Sequence, residues 1–366
     1  MIRSFINKLS NISNVFASIA ASVIGLFLGF LVLLVSNPSN ALNGFGALLT
    51  GAVSKGFAGF GNVITYAAIF ILCGLSVGFA GKTGVFNIGG SGQFIVGGVT
   101  AIYIGIFWTW LPIGLHCLVA VLAGTITGAL WGSIIGLLRA LFNISEIVVG
   151  ILLNYVALHL VNMVVFAFFY NSYANRSQVV ESTALVPRFG LDRIFPDTGA
   201  DAAIFVAILM AVLIYIILNK TTFGYEIRTV GFNKDAGTYS GINAKKNTVF
   251  SMAIAGALPG MAGALFYLSS TYNYWTVADA LPAQPTVGIC ASLIALGNPI
   301  GTIFSSLFLA YITVSGLNIQ LHGFAPEIVS VVTSAIIYCC AFVMLINRAF
   351  KNFSKKITKT SEETIL

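Results

Sequence analysis

The residues of this chain that could do chemistry are few, and their spacing excludes more than it offers. Gly81-Lys82-Thr83 is the ending of a phosphate-binding loop, in which glycine amides and a lysine cradle a nucleotide. The first glycine of that pattern would fall at position 76, which is Ser76, and an apolar run precedes it. The pattern is rejected, and since no other stretch offers such a loop, any ATP hydrolysis is expected on a separate chain. His116, His159 and His322 are scattered among apolar residues. They have no carboxylate or cysteine in helical register, so they read as structural, and no metal site is expected. Cys73, Cys117, Cys290, Cys339 and Cys340 lie in apolar stretches without a C-x-x-C pair and read as small buried hydrophobes. Glu146 and Glu327 each open an apolar run, where a carboxylate complements the positive end of a helix. No catalytic constellation is expected.

Two polar segments stand out. The first, Gly81-Lys82-Thr83-Gly84-Val85-Phe86-Asn87-Ile88-Gly89-Gly90-Ser91-Gly92-Gln93, is a glycine-dense break between long apolar runs. Backbone N–H and C=O groups exposed to hydrocarbon cost several kcal/mol each, so such a break must be buried in protein or line a watery path. The second, 222–242, sets glycines at apparent helix ends around a short amphipathic stretch at 235–240. That suits a helix lying across the membrane to dock a soluble partner; an ordinary basic loop is the plainer reading.

The elements that must position these segments follow from hydropathy. The chain has 366 residues, 58% hydrophobic and 8% charged, with a mean hydropathy of +0.95, which places it among polytopic membrane proteins. A bilayer core takes about 20 helical residues to cross. Clear spans are 15–35, 63–80, 94–110, 113–138, 147–169, 202–218, 249–268 and 328–346. The run 286–297 is too short to span, and Asn298-Pro299-Ile300-Gly301 separates it from 302–317, so a broken or re-entrant helix is expected there. The fold class is all-α, a bundle of roughly eight to ten crossings. Residues 1–346 form the membrane domain, 219–248 a cytoplasmic connection and 347–366 a basic cytoplasmic tail.

The formal charge of +7 sits in short loops between spans, where it orients the protein rather than binding nucleic acid. Lys220, Arg228, Lys234, Lys245 and Lys246, and the tail cations Arg348, Lys351, Lys355, Lys356 and Lys359, belong in the cytoplasm. Residues 170–201, with Arg176, Arg188 and Arg193 offset by four acids, belong outside. The first segment carries Arg3 and Lys8 without a small-residue cleavage site and reads as a retained first span. Glycines at 25 and 29, 74 and 78, 124 to 136 and 256 and 260 form small-xxx-small tracks. They predict close helix packing within one chain, with a dimer face as the other use of such a track. No acid falls within a span. Proton- or sodium-driven carriers keep titratable groups there, so neither ion coupling nor membrane-enzyme chemistry is expected.

The strings GKTGVFNIGGSGQ, GYEIRTVGFNKDAGTYSGI and SMAIAGALPGMAGAL together resemble the permease subunits of bacterial ABC importers of the branched-chain amino acid and ribose type. Within that group, Ile144-Ser145-Glu146-Ile147, Leu152-Leu153-Asn154-Tyr155 and Ser182-Thr183-Ala184-Leu185-Val186-Pro187-Arg188-Phe189 look most like permeases for guanosine and other purine nucleosides. The similarity runs from about 66 to 341. Two family carboxylates are replaced, by Ser91 and Val287, which leaves a simple sugar or a flavin-like heterocycle as alternative cargo.

The resemblance implies a multi-pass protein of the bacterial plasma membrane. Its expected partners are an ABC ATPase that binds ATP and magnesium, a second homologous permease and an extracytoplasmic solute-binding lipoprotein, with lipid around the spans. No cofactor is expected in this chain. Phe86, Asn87 and Gln93 of the break, with Asn154 and Tyr155, would offer aromatic faces and neutral hydrogen-bonding groups to an uncharged solute. The same amides could instead satisfy the freed backbone of the break. Gly224, Glu226, Arg228, Gly231, Asn233, Asp235, Tyr239 and Gly241 would form the segment that couples to the ATPase, with Gly231, Gly237 and Gly241 permitting its turns.

Overall fold

The computed structural model describes residues 2–342, with side chains described for 17–339 and 342. The expected tail 347–366 and the side chains of Arg3, Lys8 and Cys340 lie outside the described residues. Fourteen α-helices follow in order: α1 (Ile2–Ser36), α2 (Ala41–Ser54), α3 (Gly56–Gly81), α4 (Gly90–Phe107), α5 (Leu115–Phe142), α6 (Glu146–Phe168), α7 (Leu191–Ile194), α8 (Ala203–Lys220), α9 (Thr222–Phe232), α10 (Lys234–Tyr239), α11 (Ala244–Tyr267), α12 (Gln284–Ile294), α13 (Pro299–Gly316) and α14 (Pro326–Ala341). A two-residue hairpin pairs β1 (Tyr170–Asn171) antiparallel with β2 (Arg176–Ser177), Tyr170 opposite Ser177. Among the described residues, eight helices are long and apolar enough to cross a membrane, and the protein is an all-α multi-pass membrane protein.

Three sequence expectations need correction. The polar break is shorter than its composition suggests, because Gly90 to Gln93 already form the first turn of α4. The separator 298–301 is mostly helix as well: Asn298 Oδ1 accepts the amides of Ile300 (3.0 Å) and Gly301 (3.2 Å), and Pro299 opens α13. A proline is tolerated there because its missing N–H would have no helical partner. The run from Pro299 to His322 is consequently long enough to cross. The 14-residue α2, too short and too glycine-rich to register as a span, was not foreseen.

The chain divides into two compact units, one of Met1–Ser54, Leu293–Leu296 and Tyr311–Leu366, the other of Lys55–Ser292 and Gly297–Ala310. In the first, Gly25 and Gly29 let α1 lie on α14: a β-carbon at Gly25 would come within 3.0 Å of the Ile336 carbonyl oxygen. In the same unit the Ala52 amide donates to Ser315 Oγ at 3.0 Å.

The second unit is built on glycine contact. A β-carbon at Gly128 would sit 2.6 Å from the Gly256 carbonyl, one at Gly132 2.5 Å from the Met252 carbonyl, and one at Gly97 2.5 Å from the Gly260 carbonyl. Backbones this close exclude any side chain, so the glycine tracks of α4, α5 and α11 are spent on packing within the chain. The opposite face of α5 carries Leu118, Leu122, Ile126, Leu130, Ile134 and Leu141, all exposed at helical spacing, which is the surface hydrocarbon covers.

At one end of this unit the 170–201 connection straps the helices. Glu181 N–H donates to the Gly105 carbonyl and Val186 N–H to that of Leu268, each at 3.0 Å. His116 is buried between the Ile104 carbonyl (3.0 Å) and Thr183 Oγ1 (2.9 Å), a structural histidine. His159 and His322 are exposed. Burial pushes the Asp201 carboxyl up to about 7, against the Ala203 amide and Arg188, which favour its charged form. Cys73, Cys117, Cys290 and Cys339 are buried and free, as apolar fillers.

In the middle of α11, Pro259 has no N–H to give the Ala255 carbonyl four residues earlier. Ser76 Oγ of α3 donates to that carbonyl instead, and both residues are fully buried. Ser76→Ala is expected to strip the carbonyl of its main donor and to destabilise the fold by about 1–3 kcal/mol. Pro259→Ala returns the helical N–H, so the double variant should recover most of that loss. Melting temperatures of the detergent-purified protein across the four-member cycle check this; strictly additive effects would deny the link.

Candidate functional site

The break begins where α3 ends. Val85 N–H reaches back to the Ala80 carbonyl (3.4 Å) and Gly84 N–H to that of Gly81 (3.2 Å), a Schellman arrangement with Gly84 at φ +77°. Only a residue without a β-carbon takes that conformation readily. The lysine and threonine that imitate a phosphate loop are thus part of a helix stop. Thr83 Oγ1 donates to Ser251 Oγ at 2.6 Å.

Beyond the turn the chain reaches the level of Ala255, at the middle of α11. Asn87 Nδ2 donates to Ser76 Oγ and to Gln93 Oε1, each at 2.8 Å, and lies 3.4 Å from the Ala255 carbonyl. Gln93 Nε2 returns a bond to Asn87 Oδ1 at 3.1 Å. Both amides are fully buried, so each supplies what the other lacks in a place without water. Asn154 of α6 grips the break on two sides: its Oδ1 accepts the Gly92 amide at 2.7 Å and its Nδ2 donates to the Ile88 carbonyl at 3.0 Å. Gly92 N–H is one of the amides that the first turn of a helix leaves without a backbone partner.

Three of the five pathway candidates, Asn87, Gln93 and Asn154, therefore converge on the break. Phe86 sits half-buried at its edge, and Tyr155 lies 51% exposed on α6, away from the amide cluster. Sequence reasoning used Ser76 only to reject a phosphate loop and missed its role here; the signal was a proline four residues past an apolar carbonyl in the facing helix. Gln284, at the start of α12, also went unnoticed, and its Oε1 is buried without a partner. Ser91 and Val287, at the two positions where the resemblance implied a carboxylate, are buried, where an unpaired charge would be costly.

The connection expected to couple outward is two helices, of which only α10 was foreseen. Gly224 allows the elbow between α8 and α9, where a β-carbon would sit 2.1 Å from the Ile217 carbonyl. Arg228 Nε returns to the Gly224 carbonyl at 3.3 Å. Glu226 ties α9 to α11 through Asn247 Nδ2 at 2.9 Å. Asn233 caps α10, its Oδ1 accepting the amides of Asp235 (3.0 Å) and Ala236 (3.1 Å). Gly241 ends it at φ +82°. Gly231 and Gly237, expected at turns, lie within α9 and α10. Gly231 is instead a site of close approach: a β-carbon there would meet the Lys82 carbonyl at 2.2 Å and the Gly84 amide at 3.0 Å. The connection thus rests directly on the break.

Lys82, half-buried beside Gly231, has its pKa lowered by burial and then by the Arg228 charge. Tyr225, Phe232 and Tyr239 are 63%, 94% and 95% exposed. Tyr225, Arg228, Thr229, Phe232, Asn233 and Ala236 line an apolar groove of about 350 Å³. The aromatic members Tyr225 and Phe232 were not singled out from the sequence.

Comparison with known proteins places this geometry. Residues 59–341 match the family model described as the permease component of the branched-chain amino acid transport system. The guanosine ABC transporter permease protein NupP of Bacillus subtilis is 34% identical over 91% of this chain and 96% of its own length. The nucleoside ABC transporter permease protein NupB of Lactococcus lactis is 30% identical over 96% of each chain. A second Bacillus subtilis guanosine permease protein, NupQ, is 26% identical over 78% of this chain and 91% of its own. No solved structure matches the chain. The matched span contains the amide-locked break and both α9 and α10, and the chain belongs to the family of branched-chain amino acid transport system permease components.

Proposed function

We propose that the chain is one permease half of an ATP-driven importer that carries a purine-type nucleoside across the plasma membrane of a bacterium. The observation that supports this most is the identity of 34% and 30%, over more than nine-tenths of the chain, to permeases named for guanosine and nucleosides. The site chemistry agrees with an uncharged cargo. Asn87, Gln93, Asn154 and Ser76 are neutral donors and acceptors, and among the described residues no acid lies in the middle of a span; Glu146 stands at the first position of one. Phe86 and Tyr155 would add faces on which a base could stack.

The engine lies in partner chains. An ABC ATPase that holds ATP and magnesium docks on α9 and α10, with Tyr239, Asp235 and the groove beside Phe232 as its footing. A second, homologous permease completes the conduit; the pair NupP and NupQ in one organism supports that arrangement. A solute-binding lipoprotein delivers cargo to the outer end. Closure of the ATPase moves α9, and Gly231 carries that movement to the break it touches, loosening the amides around Asn87. This chain itself needs no cofactor.

Uptake of tritiated guanosine by cells with and without the chain tests the cargo. Deletion should abolish the saturable part of the uptake, and unlabelled nucleosides should compete. Competition by glucose, ribose or riboflavin but not by nucleosides would replace the nucleoside reading. Asn87→Ala and Gln93→Ala, made separately, each leave one buried amide unpaired, at about 1–3 kcal/mol. Reduced guanosine uptake with the complex still assembled assigns them to the pathway; loss of assembly along with uptake makes them a structural brace. Asp235→Cys and Tyr239→Cys should cross-link to the ATPase in membranes, and if neither does, α10 is not its footing.

A further inference from the structure

A cleft of about 240 Å³ lies where four stretches of the second unit meet: the break at Thr83, the last turn of α5 at Arg139, the α9–α10 junction at Asn233 and Lys234, and the first turns of α11 at Lys245. Arg139, Lys234 and Lys245 line it, and no carboxylate does. Among the described residues the single ion pair is Arg139 with Glu146 at 3.2 Å, so Lys234 and Lys245 face the cleft without a counter-charge. Two further acids lie nearby without lining the cleft: Glu226 is held by Asn247, and Asp235 follows Lys234 in the first turn of α10. Asn233 Oδ1 is taken up by two α10 amides, which leaves its amide nitrogen to donate. Thr83 and Thr248 give their hydroxyl protons to Ser251 and to the Ala244 carbonyl, so the side-chain groups left to donate to a ligand are the three cations and the Asn233 amide.

Such a lining suits an acceptor-only anion with several oxygens. The volume falls below the roughly 300–1,000 Å³ of pockets that hold drug-sized ligands, so a phosphate head group fits and a whole nucleotide does not. Lys82 and Arg228, on the adjoining break and helix, add to the positive field, and burial already holds the Lys82 pKa below the usual lysine value. The cleft also lies at the basic end of the helices, where anionic head groups collect on the cytoplasmic side of a bilayer.

We propose that this cleft binds a phosphate group, from an anionic phospholipid or from free phosphate, and that the bound anion ties the break at Thr83 to the coupling helices. By neutralising like charges drawn from separate elements, the anion stiffens their contact at Gly231. Nothing in this depends on which solute is carried.

The test uses the detergent-purified full chain, with melting temperature read after addition of phosphatidylglycerol, phosphatidylcholine or inorganic phosphate at matched ionic strength. Phosphatidylglycerol or phosphate should raise it and phosphatidylcholine should not. The variant carrying Lys234→Gln and Lys245→Gln should lose at least half of the rise, and the variant carrying Lys234→Arg and Lys245→Arg should keep it. A rise with phosphatidylglycerol alone identifies a lipid head group; a rise with phosphate alone identifies the free anion. No rise in the native protein, or an undiminished rise in the glutamine variant, overturns the proposal. So does loss of ATPase co-purification in that variant without any anion response, because the cations would then serve a protein partner. Should the glutamine variant fail to fold, native mass spectrometry of the unaltered protein decides, with a retained one-to-one phosphatidylglycerol or phosphate adduct in favour and its absence against.

Discussion

One unfilled hydrogen bond organises the interior of this protein. Pro259 cannot donate, so the Ala255 carbonyl in the middle of α11 needs a partner from outside its helix. Ser76 supplies it, Asn87 bonds to Ser76, and Gln93 closes on Asn87. In an apolar interior an unpaired carbonyl costs several kcal/mol, which gives the break little choice of depth. The chain between α3 and α4 is therefore held with its amides against the middle of α11, and α4 starts there.

Glycine makes that depth attainable. The contacts of Gly128 with Gly256, Gly132 with Met252 and Gly97 with Gly260 bring backbones to distances that no β-carbon permits. Where the hydrophobic effect gives no drive between helices, this close contact is the main source of cohesion. The same device recurs at Gly231, which rests on the Lys82 carbonyl. At Gly231 α9 meets the break with no side chain between them, beside the tie that Glu226 makes to Asn247 of α11. Interiors packed this tightly shift between discrete arrangements instead of bending continuously.

The charge pattern keeps fixed charge away from the middle of the described spans. Among the described residues Glu146 at the start of α6 pairs with Arg139, Glu226 of α9 bonds to Asn247, and burial raises the Asp201 carboxyl to about 7. The spans offer neutral amides and hydroxyls, suited to weak, exchangeable contacts with a polar solute. Ser91 and Val287, where the resemblance implied carboxylates, are buried, where a fixed charge would be costly. Belonging to a permease family accords with a conduit driven from outside its own sequence.

Hydropathy alone determined the class of the protein, most of its spans and the sites of its interruptions, because lipid tolerates only long apolar helices with internally satisfied backbones. The glycine tracks predicted close packing, and the strings around 81–93 and 224–242 located the segments that matter. Composition overstated the break, since glycines at 90 and 92 read as irregular although α4 starts at Gly90. It also hid α9, whose aromatic and polar residues lack the apolar period of a span. Only the tertiary structure decided which amides meet. Asn154 is distant in sequence from Ser76, Asn87 and Gln93, and the carbonyl that gathers Ser76 and Asn87 belongs to an alanine that has no signature of its own. That need arises from a proline in one helix and is met by a serine in another, so it exists only once the two helices lie side by side.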